Sequence, residues 1–193
     1  MVRGKLSDQS SVQGSDMFSV GRLPLPSEAL LYQYKELGAF VDCYYVDIAC
    51  SITQSEYIQA FYTTPIFKLE RWILKWAVSK PSTDQQAVLL SEAKINIFSA
   101  WVVEQQSDNQ LLMCDYSGRT RSWLMIEPVN QGTRLYFGSA VVPESGGIED
   151  VRSDGRRKRA RFFSAIQGFH HCYSMALLAS ARSRLLKNIK DTD

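Results

Sequence analysis

The chain is poor in cysteine, proline and histidine, carries almost no net charge and has no long apolar run. Its 193 residues include 4 Cys, 6 Pro and 2 His, with a formal net charge of +2. No stretch approaches the ~20 apolar residues needed to cross a bilayer. No apolar run of ~7–15 residues follows the early positive charges, as a secretory signal would require. Cys43, Cys50, Cys114 and Cys172 lie far apart with no C-x-x-C pair, which predicts buried reduced thiols and no disulfide framework. No G-x-S-x-G, Gly-rich phosphate loop or Cys–His signature is present. His170 and His171 are neighbours and, on a helix, do not face one another, so no metal site is expected. The expectation is a soluble cytoplasmic protein with neither metal nor cofactor and no membrane span.

What is present is an ordinary globular composition, 45% hydrophobic and 22% charged, in a length suited to one domain. Residues 1–26, rich in Ser, Gly, Gln and Pro, show no apolar period and read as a flexible lead-in. The domain is expected over 27–187, with a tail at 188–193. Charge is unevenly spread: residues 151–190 hold ten Lys and Arg against one Asp, whereas residues 1–150 hold 12 basic against 17 acidic residues. "RRKRAR", 156–161, is the densest run. A phosphate-contacting patch is one reading and would make this an interaction protein. The run lacks interleaved aromatics and any DNA-reading motif, so a solvated or self-docking face is preferred over nucleic acid. Positive charge also opposes the dipole at a helix start. No signal of oligomeric state is visible.

Alternation and turn residues divide the chain. "AFVDCYYVDIAC", 39–50, reads as a strand with Asp42 and Asp47 on opposite faces. Thr53 and Glu56 form a capping-box pattern, where each side chain satisfies the other end's free amide. Thr64-Pro65 opens a second helix through Trp76, and Ser82 or Thr83 caps a third. From residue 95 the period becomes alternating, giving four strands separated at 107–109, 117–118 and 130–132, and short connections predict an antiparallel meander. A helix is expected from Arg157 to Lys187, with Phe162, Ile166, Phe169, Tyr173 and Leu177 on one stripe around His170. The fold class is α+β: an antiparallel sheet of five strands covered by a long C-terminal helix.

This order resembles the helix-grip fold of the START, polyketide-cyclase and birch-pollen-allergen superfamily. "FVDCYYVDI", "FYTTPIFKLERWIL" and "GFHHCYSMALL" are similar to a bacterial family of unknown function placed there. The resemblance spans most of residues 27–186. It implies a curved sheet wrapped around the last helix, with a cavity between them, and it brings no established reaction.

Within that frame the expected ligand is a small apolar or amphipathic molecule, and the expected wall is Tyr45, Trp101, Arg121, Trp123, Phe137, Phe169, His170 and Tyr173. If Ser117-Gly118 turns the chain, Cys114 faces Arg121 and Leu112 faces Trp123. Arg121 then either holds a carboxylate or phosphate through its fork of donors, or braces Asp115 or Glu127 at the surface. Trp123 is more readily core than ligand stack. His170 is either a core histidine with a buried partner or an acid–base group, served by Asp42, Asp47 or Asp115. The alternative function is therefore a cyclase or isomerase-type enzyme, with His170 and Asp115 as catalytic candidates.

Overall fold

The computed structural model describes residues 19–68, 82–142 and 153–191, with backbone alone over 153–170. The expected antiparallel sheet and long terminal helix are both present, and the sheet has seven strands in place of five. They are β1 (Gly21–Arg22), β2 (Phe40–Ile48), β3 (Ile97–Phe98), β4 (Trp101–Gln106), β5 (Gln110–Asp115), β6 (Thr120–Val129) and β7 (Gly132–Val141). The spatial order is β1-β2-β7-β6-β5-β4-β3, every pairing antiparallel. The helices are α1 (Tyr32–Glu36), α2 (Gln54–Tyr62), α3 (Asp84–Ser91) and α4 (Ser153–Lys190).

The added strands are the two edges, each of two residues. β1 lies in what the sequence suggests is a lead-in: Gly21 pairs with Tyr45 and Arg22 with Tyr44. A Cβ at Gly21 would stand 2.3 Å from the Tyr45 ring, so a side chain there requires that ring to shift. Local composition carries no trace of this strand, because its partner is more than twenty residues downstream.

Capping fixes the helix starts. Thr53 and Glu56 exchange hydrogen bonds at the head of α2, and Thr83, not Ser82, does the same with Gln86 at the head of α3. The helix expected from Thr64-Pro65 is present over 65–68, and the rest of that segment lies outside the described residues. α4 begins at Ser153 and ends at Lys190, four residues earlier and three later than the sequence suggests. The basic run 156–161 is therefore helical, and its side chains lie outside the described residues.

Both faces of the sheet are covered, which five amphipathic strands would not lead one to expect. One face meets α2 and α4 and holds a core including Tyr44, Val46, Leu111, Met113, Leu124, Phe137, Leu177, Leu178 and Leu185. The other buries Cys43, Leu112, Trp123, Met125 and Tyr136 beneath residues 25–34, with Leu25, Leu31 and Tyr34 as the apolar contacts. The former is the inner face and the latter the outer. Trp123 and Leu124, consecutive on β6, are both fully buried on opposite faces.

The segment over the outer face is pinned through one amide. Gln110 Oε1 accepts from Leu30 N–H at 2.9 Å and from Trp123 Nε1–H at 2.8 Å, while Gln110 Nε2 donates to the Glu28 carbonyl at 3.1 Å. Gln110→Ala orphans a fully buried indole N–H and loosens the strap, so it is expected to lower stability by about 2–4 kcal/mol in urea unfolding. A change below about 0.5 kcal/mol would show that the amide is dispensable.

Candidate functional site

Period-two alternation decides which side chains look toward α4. β2 and β7 pair from Phe40↔Val141 to Ile48↔Thr133, and β7 pairs with β6 from Thr120↔Val141 to Val129↔Gly132. Asp42, Ser139 and Ser122 therefore form one transverse row on the inner face, and Tyr44, Phe137 and Leu124 form the next. Between this part of the sheet and α4 lies a cavity of about 220 Å³. Its apolar wall comes from Phe61, Phe67, Trp101, Phe137, Tyr173 and Leu177, and its polar floor from Thr120, Ser122 and Ser139.

The residues expected to line one wall are split. Trp101, Phe137 and Tyr173 line the cavity. Tyr45 and Trp123 belong to the outer core. Arg121 borders the cavity where its strand passes, but its guanidinium is on the outer side: Nε donates to Glu104 Oε2 at 2.9 Å, and Cζ stands 4.5 Å over the Tyr34 ring. Tyr34 also hydrogen-bonds Glu104. Neither Asp115 nor Glu127 is a recorded partner of Arg121, whose Nε and Nη1 donate to Glu104 and to the Gly118 carbonyl. The side chains of Phe169 and His170 lie outside the described residues.

The three strand carboxylates have separate duties. Asp47 holds Arg134 in a two-pronged pair at 2.7 and 2.9 Å, and that guanidinium covers the Tyr45 ring. Asp115 braces the hairpin turn: Oδ1 accepts from Arg119 N–H at 2.8 Å and Thr120 N–H at 3.0 Å, and Oδ2 from the Ser117 hydroxyl. The hairpin register is the expected one, Cys114↔Arg121 and Leu112↔Trp123. Its turn is wider than two residues, with Gly118 at φ +72°, where a side chain would be strained. Asp115 thus braces the turn.

Asp42 is the carboxylate beside the cavity. Oδ1 accepts from Ser139 N–H at 3.0 Å and Ser139 Oγ–H at 2.7 Å. The Tyr44 hydroxyl stands 3.3 Å from Oδ2 and 2.8 Å from His171 Nδ1. A phenol has one hydrogen. When it lies on Asp42, His171 presents Nδ1–H to the Tyr44 oxygen; when it turns to Nδ1, Asp42 loses a donor. Burial, followed by the Asp42 charge, pushes the Tyr44 phenol up to about 12. Ser139, Asp42, Tyr44 and His171 thus form one chain of polar contacts from the cavity floor to a partly buried imidazole.

His171, which the sequence turns away from the expected stripe, lies against Tyr44 of the sheet. The buried positions of α4 are Ser174, Leu177, Leu178, Ala181 and Leu185. That stripe is displaced about one residue from the expected one, a rotation of about 100°. Its small members, Ser174 and Ala181, conceal it from an apolar count. Among the four cysteines only Cys43 is buried; Cys50 and Cys114 are intermediate and Cys172 is exposed, and all are free. Among the described residues no three His, Cys, Asp or Glu side chains converge on a metal-sized site, and no helix is long and apolar enough to cross a membrane.

Neither known protein families nor curated proteins show a match to this chain.

Asp115 sets one pH-dependent expectation. Burial raises its carboxyl pKa, but hydrogen bonds from Ser117, Thr120 and Arg119 outweigh this and leave it below its ordinary 3.8. A carboxylate lowered in the folded state contributes in full above the unfolded value and loses that contribution as pH falls through the folded one. Asp115→Asn is thus expected to destabilise at pH 7, with the gap to the native chain closing below about pH 4. A gap constant from pH 7 to pH 2 in denaturant titrations would contradict the assignment.

Proposed function

We propose that this protein binds a small, mainly apolar molecule in the cavity between α4 and the inner face of the sheet, in the manner of the helix-grip superfamily. The observation that carries the reading is the cavity itself: about 220 Å³ among aromatic rings of the sheet, α2 and α4. Tight packing is the rule in protein interiors, where voids larger than a water are few. A cavity of about 150 Å³ lined by apolar side chains accepts benzene. By that scale this one takes on the order of ten heavy atoms.

The element order supports the same reading. With the two-residue β1 set aside, the chain runs strand, helices, five antiparallel strands and one long helix laid against β2 and β7. That is the arrangement the resemblance implies. The volume argues for a bicyclic guest in place of the sterols and long fatty acids that larger cavities hold. Among the described residues, Arg121, which borders the cavity, is engaged with Glu104.

Binding would come from apolar surface removed from water, roughly 25 cal/mol per Å². Calorimetric titration with naphthalene is expected to show one saturable site per chain. Val141→Trp places an indole at a half-exposed position on the cavity wall. It is expected to weaken binding at least about tenfold, by loss of roughly 1.4 kcal/mol or more. Absence of saturable binding, or equal affinity in a folded Val141→Trp protein, would remove the reading.

A further inference from the structure

We infer that the end of the sheet where β2 and β6 begin and β5 and β7 finish docks peripherally on an anionic lipid bilayer. The inference stands apart from the cavity reading and needs no guest. Four large hydrophobic side chains remain exposed at this end: Leu37 at 74%, Tyr116 at 63%, Val141 at 40% and Phe40 at 36%. Leu37 follows α1 and leads into β2, Phe40 and Val141 are strand partners, and Tyr116 opens the turn between β5 and β6. The turns at the opposite end, 107–109 and 130–131, are polar throughout. Single apolar side chains on a surface are ordinary, whereas a group of them gathered in one region marks a contact site.

Cations stand around these tips. A cleft of about 560 Å³ opens beside the first residues of β2, and Arg22 and Lys35 line it. The last helix brings more. His171 Nδ1 stands 2.8 Å from the Tyr44 hydroxyl and Arg182 Nε donates to the Asp47 carbonyl at 3.1 Å, so α4 runs in the direction of β2. Phe40 precedes Tyr44 by four residues, ~13 Å along the strand. Arg161 precedes His171 by ten residues, ~15 Å along the helix. The backbone of 156–161, with five basic residues and no acidic one, therefore passes level with the end of the sheet and on beyond it.

The two chemistries together select the partner. Each Lys or Arg held near an anionic leaflet strengthens binding several-fold. Apolar tips enter the acyl boundary without a matching groove, because lipid adapts to them. A nucleic acid offers phosphates and no apolar phase for Leu37. A folded protein partner would be met by one continuous, close-packed apolar core, whereas these tips stand on separate segments.

The test is flotation of the full chain with vesicles of phosphatidylcholine, alone or with roughly one-third phosphatidylserine, at about 0.1 and 0.5 M salt. Expected is binding to the mixed vesicles at the lower salt, at least about tenfold weaker at the higher salt and on neutral vesicles. Leu37→Ser with Tyr116→Ser removes two exposed tips that do not line the cavity. It should weaken vesicle binding about tenfold while leaving retention on single-stranded DNA unchanged. Replacing the five basic residues of 156–161 by Gln should weaken both. The salt and lipid series needs no variant, so it tests the inference even where a substituted chain does not fold. No binding to the mixed vesicles, or equal binding to neutral ones, would overturn the inference. So would vesicle binding untouched in a folded Leu37→Ser/Tyr116→Ser protein, which would leave only an attraction to polyanions.

Discussion

One constraint governs the rest: strand side chains alternate, and the antiparallel register across β2, β7 and β6 fixes which alternate set lies beneath α4. A slip of one residue would exchange Asp42, Ser139 and Phe137 for Cys43, Gly138 and Tyr136. The inner face would then lose its hydroxyl row and its aromatic wall together. Both faces being apolar, burial alone would not forbid the slip. The register is held by paired features on each side: Asp42 bound to Ser139, Asp47 clasping Arg134, and Trp123 locked to Gln110.

The two faces carry different work. The outer face is filled with large rings, and its charges are matched in the Arg134–Asp47 and Arg121–Glu104 pairs. The inner face is also apolar toward Leu135 and Leu185, but near Ser139 and Ser122 the side chains shorten and α4 spans the gap without filling it. A cavity arises where small polar residues of the sheet stand opposite the aromatic rings of Phe61, Phe67 and Tyr173. Its floor connects through Asp42 and Tyr44 to His171, so the polar end of the cavity and the half-exposed end of the chain share one hydrogen-bond network.

Much of the scaffold was legible because it is written locally. Thr53 with Glu56 specifies a helix start, Ser117-Gly118 sets the register of Cys114 with Arg121, and the switch from helical to alternating period at residue 95 announces the meander. The site was less legible because facing is a long-range property. On β6, "SWLM" is apolar on both sides, so alternation cannot say whether Trp123 or Leu124 looks at α4. β1 depends on Tyr44 and Tyr45, distant in sequence. The buried stripe of α4 includes Ser174 and Ala181, whose small size suits close packing and hides the stripe from a hydrophobic count. His171, off the expected stripe, stands against Tyr44. Arg121 took Glu104 as its partner, a choice set by the β4–β5–β6 pairings and invisible in spacing.

The central claim is that an accessible apolar space exists between α4 and the sheet. Xenon enters dry apolar cavities and scatters strongly, so a crystal pressurised with xenon reports on it without any assumption about the natural guest. A well-occupied xenon site in contact with Trp101, Phe137 and Tyr173 is expected. Rings closed over that position, with xenon absent or bound only against the outer face, would contradict it.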